Sequence, residues 1–412
     1  MAAKRVGYCL SEKKSRRLSF DDFSVICRQA NIDLLKINLS DPLEEQGPFD
    51  VVVHKLTDQL VQANQGNRNA ADQIETFKRY LERHPQTQMV DRLENISKLI
   101  DRNRQYGLVE QTLSHYQESG FFTPTFVEFT TNDVETNKQL LYKNNVTFPL
   151  VCKPTTAHGS NLCHQMSLIF NEAGLKDVSP PCVAQSFINH NAVLYKIFAI
   201  GRHHCIVERP SIKNFSPGGS EAKTIHFDSH DVSKADSASH LNAKSELESP
   251  FILPDPAQLQ KLGLAIQHSL GLDLIGVDVI VENHTGRYAV IDANSFPGYD
   301  GVPEFFNCLL SLIQDKINPS SDQISPGSLS YFPQLTSVWR QNKIIESHVM
   351  PALSPRPPFH VNGITRNLTS SDCMKEDKQF LLDSHWLPMD TPSPEVVVVT
   401  ASESDDSAKR IS

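Results

Sequence analysis

Gly276-Val-Asp278-Val-Ile-Val281, then Asn283-His-Thr-Gly286, then Ala289-Val-Ile-Asp292-Ala-Asn294: this stretch decides the fold. Both flanks are apolar and β-branched, as strands are. The middle has turn chemistry. With a hairpin centred on Thr285, facing residue numbers sum to 570, and Asp278 and Asp292 meet that condition. The two carboxylates then face each other on one side of the sheet, with Cβ atoms about 4.5–5.5 Å apart. Asn294, two residues on, shares that side. Two acids so placed in an apolar sheet repel each other and lose hydration. A divalent cation between them removes the cost. An Asp/Asp/Asn oxygen set suits Mg²⁺, which takes one or two carboxylates together with waters and nucleotide phosphate oxygens. The other arrangement has a different register, with one acid at a strand end in water. A bulge near the turn would shift the pairing in that way.

Working outward, Asn294-Ser-Phe-Pro297-Gly298-Tyr-Asp-Gly301 leaves the second strand as a glycine-bearing loop. It is either a place where a ligand nears the backbone or an ordinary Pro-Gly turn. Lys153 closes an apolar strand that Pro154 stops, and Lys196 sits within Val193-Leu-Tyr-Lys196-Ile-Phe-Ala-Ile. A lysine inside an apolar strand needs an anion. Each alone reads as a structural ion pair; both beside a Mg²⁺ hairpin read as nucleotide phosphate contacts. The loop Thr155-Thr-Ala-His158-Gly159-Ser160-Asn161 offers small residues and backbone donors, with His158 and His164 beside it, but there is no Walker A loop. Ser11-Glu-Lys13-Lys14-Ser-Arg16-Arg17 follows the first strand, and His54-Lys55 ends another. Ligands of α/β sheets bind beyond the carboxyl ends of strands, so two basic sites converge on one rim of the small domain. Alternatively, Lys13 to Arg17 is only a solvated charge run.

The pattern divides the chain into four parts. Residues 1–91 alternate strand and helix, giving a small α/β domain with a mostly parallel sheet; Ser19 is placed to cap a helix ending near Asn31. Residues 92–119 form a helical connector, and residues 120–318 are β-rich. Residues 319–412 are rich in Pro and Ser and are expected to be a disordered tail. Within that tail Val396-Val-Val-Val399 stands out, either a docking strand or a run without a role. None of the eight cysteines forms a C-x-x-C pair, and several lie in apolar runs, as buried thiols in a reducing compartment do. With no signal-type h-region and no apolar stretch of about 18 residues, a cytoplasmic protein without membrane insertion is expected.

Longer matches join these features. Lys4-Arg-Val-Gly-Tyr, Leu10-Ser-Glu-Lys-Lys14, Glu44-Glu-Gln-Gly-Pro-Phe-Asp-Val, His54-Lys-Leu-Thr-Asp58, Ala157-His-Gly, Phe187-Ile-Asn-His-Asn-Ala-Val-Leu-Tyr-Lys196, Arg209-Pro-Ser-Ile-Lys-Asn-Phe-Ser216 and Val290-Ile-Asp-Ala-Asn-Ser-Phe-Pro-Gly298 carry a family pattern. In these, residues 4–318 resemble the inositol-tetrakisphosphate 1-kinase (inositol 1,3,4-trisphosphate 5/6-kinase) family, which has the α/β ATP-grasp fold. The resemblance implies two β-rich lobes enclosing ATP and an N-terminal domain that binds inositol phosphate. It implies nucleotide contacts at Arg102, Lys153, Gln185, Ser186, Phe187, Ile188, Asn189, His190, Asn191, Ala192, Val193, Leu194, Tyr195, Lys196, Ser211, Ser229 and Ser233. It implies two Mg²⁺ at Asp278, Asp292 and Asn294. Lys14, His164, Lys196 and Asn294 would contact the inositol phosphate, helped by Lys55, Arg209 and Gly298. Lys196, Asp292 and Asn294 would serve catalysis. The stretch Gly159-Ser-Asn-Leu-Cys-His164 is one residue longer than the family pattern, which leaves His158 and His164 both open as the substrate contact.

The expected activity is an ATP- and Mg²⁺-dependent inositol polyphosphate kinase. It would phosphorylate inositol 3,4,5,6-tetrakisphosphate at position 1 and inositol 1,3,4-trisphosphate at position 5 or 6, reversibly and with isomerase behaviour, as a monomer. Two rivals share its features: an ATP-grasp carboxylate–amine ligase and a non-catalytic inositol phosphate sensor. The basic rim favours a polyanionic acceptor over the first, and the intact Asp/Asp/Asn set argues against the second. The 39 Lys+Arg and 48 Asp+Glu give a formal charge of −9, against nucleic acid as a partner. After Pro319 there are 8 Lys+Arg and 11 Asp+Glu, leaving 31 against 37 before it. Phosphates must therefore be met by a few placed cations and Mg²⁺, not by a basic surface.

Overall fold

The computed structural model describes residues 2–159, 161–216, 222–243, 250–318 and, as backbone only, 396–399. The expected disordered tail lies outside the described residues, except for those last four. The first sheet is parallel, in the order β2-β1-β3-β4, from β1 (Lys4–Cys9), β2 (Ile32–Lys36), β3 (Val51–His54) and β4 (Gln88–Val90). Val51, Val52 and Val53 are wholly buried, as a strand covered on both faces requires. Helices Phe20–Gln29, Thr57–Asn64 and Arg68–Arg83 accompany it.

Two local expectations change. The basic run is a helix, Glu12–Arg17, capped by the Ser11 side chain, which accepts from the Lys14 N–H. Ser19 does precede the next helix, but its backbone is left-handed (φ 51°) and its side chain makes no cap bond. The sharp turn between the two helices takes precedence over capping there.

After β5 (Phe121–Phe122), two further sheets carry the cleft. One has five strands, in the order β12-β8-β7-β9-β6, from β6 (Phe126–Phe129), β7 (Leu150–Pro154), β8 (Gln165–Ile169), β9 (Cys182–Ser186) and β12 (Ile225–Asp228). The other has six, in the order β15-β11-β10-β13-β14-β5, with β10 (Val193–Ile200), β11 (His203–Pro210), β13 (Leu274–Val281), β14 (Tyr288–Ser295) and β15 (Val396–Val399). The valine run thus lies parallel to β11, with Val396 opposite His204 and Val399 opposite Val207. Residues 187–192 are the crossing from the five-stranded sheet to the six-stranded one.

The small N-terminal sheet shares its core with the six-stranded lobe. Phe20, Phe23, Cys27 and Val53 pack in one cluster with Phe198, Leu274, Tyr299 and Leu309, and Phe23 stacks on Phe306 with ring centroids 5.1 Å apart. This shared core fixes the basic rim relative to the cleft. The connector helix Arg102–Leu113 lies on the hairpin: Val109 and Leu113 join the core cluster that holds Val277 and Val279, and the Gln105 side chain donates to the Ala293 carbonyl.

Candidate active site

The hairpin pairs as its numbering predicts where it matters. Asp278 faces Asp292, and Gly276 faces Asn294. Between Asp278 and Val279 the register shifts by one, so Val279 faces Val290. The bulge lies on the turn side of the acids and leaves them opposed. On the other flank of β13, Lys196 of β10 faces Asp278, and its Nζ lies 3.1 Å from Asp278 Oδ1. Asn294 donates to Asp292 Oδ2 at 3.3 Å.

The environment splits the two acids. Burial raises the Asp278 pKa, Lys196 opposes that, and Asp292 adds to it. Burial pushes Asp292 the same way, but Arg102, Lys153, the Asn294 hydrogen bond and Lys196 together hold it below the ordinary carboxylate range. Asp278 Oδ1 is buried, with the Lys196 ammonium as its charged neighbour. Two opposed carboxylates and an amide oxygen form a hard oxygen donor set that fits Mg²⁺. Among the described residues there is no cluster of three His, Cys, Asp or Glu; the hairpin brings two carboxylates together with the Asn294 amide beside them.

Lys153 is fully used. Its Nζ donates to Tyr106 Oη (2.8 Å), Gln185 Oε1 (3.0 Å) and the Ile291 carbonyl (2.8 Å). Burial draws its pKa down to about 8, with Asp292 resisting. Arg102 grips the loop after β7, donating to the carbonyls of Pro154 (2.6 Å) and Cys163 (3.1 Å), while its Nε stays buried without a partner. Asp58 of the small domain accepts from the Gly159 N–H at 3.1 Å, so the same loop is held from both sides.

A cleft of about 850 Å³ brings most of the expected residues together. Asp278, Asp292 and Asn294 line it with Arg102, Lys153 and Lys196. Of the crossing and its flanking strand ends, Gln185, Ser186, Phe187, Ile188, His190 and Leu194 line it too, whereas Asn189, Asn191, Ala192, Val193 and Tyr195 lie outside its lining. Ser211, Ser229 and Ser233 are on the wall: Ser211 Oγ pairs with His190 Nε2 (2.7 Å) and Ser233 donates to the Ser229 carbonyl (2.7 Å).

The crossing itself is tied by side-chain amides. Asn214 Oδ1 accepts from the N–H groups of His190 (3.1 Å) and Asn191 (2.9 Å), and Asn283 donates to Asn191 Oδ1 (2.9 Å). Asn189 bonds Phe215 in both directions at 2.9 Å. Asn191 and Ala192 are left-handed there (φ 53° and 57°), a conformation asparagine tolerates and alanine adopts at a cost of about 1–2 kcal/mol.

The basic rim converges as expected, with partners the sequence does not announce. Lys14 Nζ donates to the carbonyls of Phe296 (2.8 Å) and Pro297 (2.7 Å), and Lys55 Nζ donates to Phe296 as well (3.1 Å). Burial, then Lys55 and Arg17, draw the Lys14 amine down to about 6. Arg209 donates to the Asp300 carbonyl at 2.5 Å, and Gly298 also lines the cleft. His54 is a correction: it is buried, its Nε2 pairs with the Asp91 carbonyl (2.7 Å), and burial lowers it to about 4, so it is a neutral core residue beneath the rim.

Both candidate histidines line the cleft. His164 stacks on His230 at 3.7 Å between centroids, and burial, then His230, draw it to about 4. Burial and Lys55 draw His158 to about 3, and its Nε2 has no partner. Tyr106, Gln105, Asp58 and His230 were not foreseen. Each meets its partner across 47 to 188 residues of chain, and no local spacing carries that signal.

Two β-rich lobes joined by one crossing segment, with opposed carboxylates and buried lysines in the cleft, define an ATP-grasp enzyme. The family model of the inositol 1,3,4-trisphosphate 5/6-kinase pre-ATP-grasp domain matches residues 5–96, and that of the ATP-grasp domain matches residues 115–315. The chain belongs to the inositol 1,3,4-trisphosphate 5/6-kinase family, whose members are ATP-using kinases. It is 45% identical over 313 residues to an inositol-tetrakisphosphate 1-kinase of Xenopus laevis, covering 76% of this chain and 79% of that one. A Danio rerio protein of the same name is 44% identical over 310 residues (75% and 78% covered), and an Oryza sativa inositol-tetrakisphosphate 1-kinase 1 is 32% identical over 319 (76% and 85%). Among solved structures, D-cycloserine synthetase DcsG aligns at TM-score 0.49 and 12% identity, covering 76% of this chain and 99% of that one. Likeness that loose says nothing of substrate. No helix among the described residues is long and apolar enough to cross a membrane.

Proposed function

We propose that this kinase transfers the γ-phosphoryl group of ATP to an inositol polyphosphate. The acceptors would be inositol 3,4,5,6-tetrakisphosphate at position 1 and inositol 1,3,4-trisphosphate at position 5 or 6. The reaction would be reversible, allowing isomers to interconvert, and the protein would act as a monomer in the cytoplasm. The observation that carries the reading is the convergence of Lys14 and Lys55 on one carbonyl at the mouth of the cleft that holds Asp278 and Asp292. A rim of basic side chains, which a bound polyanion would hold protonated, beside a Mg²⁺-type donor set suits a polyanionic acceptor better than a carboxylic acid and an amine.

Asp278, Asp292 and Asn294 would hold two Mg²⁺, which when bound neutralise charge on the β- and γ-phosphates. The chain's own residues do the positioning. The crossing segment, from Gln185 to Lys196, would seat adenine and ribose, with Ser211, Ser229 and Ser233 completing that wall. Lys153 and Arg102 would meet phosphates, and Lys153 must release one of its three neutral acceptors to do so. Lys196, already beside Asp278, places fixed positive charge where negative charge develops in transfer. Lys14, Lys55, Arg209, Gly298 and His164 would seat the acceptor, leaving direct in-line attack by an oriented inositol hydroxyl.

The test is chromatographic identification of products from a panel of inositol phosphates with ATP and Mg²⁺. Transfer of phosphate to ring hydroxyls at the stated positions is expected. ADP release coupled only to a carboxylic acid and an amine, or no turnover of any inositol phosphate, would overturn the reading.

A further inference from the structure

The loop Phe296-Pro-Gly-Tyr-Asp-Gly301 receives four basic side chains and carries one carboxylate. Lys14 and Lys55 meet its carbonyls, and Arg209 meets the Asp300 carbonyl. The fourth, Arg17, donates through Nε to Asp300 Oδ1 (3.3 Å) and through Nη2 to Asp300 Oδ2. This pair is no buried structural link. Both side chains are more than half exposed, and both line the cleft.

Arg17 is also seated against backbone. A Cβ added to Gly298 would fall 2.7 Å from Asp300 Oδ2 and 3.2 Å from Arg17 Nη2. The glycine therefore leaves the room that the guanidinium fills. Asp300 uses two of the five guanidinium donors, and the rest remain for a second acceptor. Lys13 and His230 line the same cleft, and Asp228, Arg17, Lys13 and Lys234 all act on His230 through their charge.

We propose that Arg17 is a ligand for a ring phosphate of the acceptor, and that Asp300 is that phosphate's internal stand-in, holding the guanidinium in place until the acceptor displaces it. This rests on the inositol polyphosphate reading above and names one subsite within it. A phosphate dianion carries more charge than a carboxylate and matches the guanidinium fork equally well, so it wins the exchange. An acceptor with no phosphate at this corner gains nothing from displacing Asp300. The pair then selects acceptors by where they carry phosphate.

The test is calorimetric binding of inositol 3,4,5,6-tetrakisphosphate and inositol 1,3,4-trisphosphate to the full chain, with thermal melting as a check on folding. Arg17→Gln should weaken binding of at least one of the two about tenfold or more, with Arg17→Lys restoring part of it. Asp300→Asn should tighten binding of the same ligand about threefold or more. The double variant should behave like Arg17→Gln. A merely structural pair would move both single variants in the same direction, because each breaks the same link, and that result overturns the proposal. Wild-type protein that binds neither ligand overturns the inositol polyphosphate reading and this one with it. Wild-type binding with no change in either variant overturns this one alone.

Discussion

Lys14→Met separates the cost of a buried amine from its use. Lys14 is drawn from 10.5 to about 6, mainly by burial. An amine with a depressed folded pKa weighs against the folded state at any pH below its unfolded value, and increasingly so until the pH falls to about 6. One pH unit is worth about 1.4 kcal/mol, so at pH 7.5 the cost is about 4 kcal/mol. Water in the cleft screens about half of it, leaving about 2 kcal/mol. The two hydrogen bonds to Phe296 and Pro297 offset about 1 kcal/mol of that. Methionine loses those bonds and the charge but keeps a contact with the Phe296 ring, whose centroid lies 4.2 Å from Nζ. The net gain is about 1 kcal/mol, or about 2 °C in Tm for a chain of this size. The same reasoning gives about 3 °C at pH 6.5 and none at pH 9. Scanning calorimetry of the ligand-free protein at the three pH values reads this. A variant that melts below wild type at pH 6.5, or whose advantage does not shrink toward pH 9, refutes the reasoning. In the coupled assay the same substitution should raise KM for the inositol phosphate about tenfold and leave KM for ATP within twofold. If both rise together, the rim does not seat the acceptor.

Other outcomes follow from the same groups. Asp292→Asn should lower kcat about 10²–10³-fold and lower Tm slightly, since the carboxylate that Arg102, Lys153 and Lys196 hold below its ordinary range is lost; near-normal turnover at saturating Mg²⁺ would dismiss the metal assignment. Asp91 is buried and raised well above the ordinary carboxylate range, first by burial and then by Asp273, while accepting from the N–H groups of Asp273 (2.5 Å) and Leu274 (3.1 Å). A raised acid costs stability once the pH exceeds its unfolded value, and increasingly so up to its folded one, so Asp91 offsets part of the stability that buried His54, His158 and His164 gain as pH rises from 5 toward 7. Asp91→Asn should make Tm rise more steeply with pH than in the wild type across that range, and an equal slope in both proteins would exclude Asp91 as a contributor.

What the sequence made legible was set by distance along the chain. Asp278 and Asp292 are 14 residues apart on one hairpin, so alternation and a turn were enough to pair them. A bulge in the hairpin was anticipated, but its place beside Asp278 was not legible, because apolar β-branched residues read alike on either side of a one-residue slip. The parallel first sheet was readable from Val51-Val-Val, which only a strand covered on both faces can afford. The partners of Lys14, 282 and 283 residues away, left no trace in any local pattern. His54 looked like part of a basic rim because composition does not say which side of a strand end faces water. Lys153 was read from its apolar neighbours as needing an anion, yet three neutral oxygens hold it, two of them side chains from the connector helix and β9.

The crossing between the lobes is held in part by asparagines 189, 191, 214 and 283 acting on one another and on backbone groups, and by His190, which pairs with Ser211 and the Ile188 carbonyl. Amides do not titrate and are little screened by salt, and burial draws His190 down to about 4, so it stays neutral above that pH. The two lobes therefore keep the same joint from mildly acid to mildly alkaline solution and from dilute buffer to physiological salt. A pH–rate or salt–rate profile of this enzyme then reports the ionisable groups in the cleft, not a loosening of the frame that holds them.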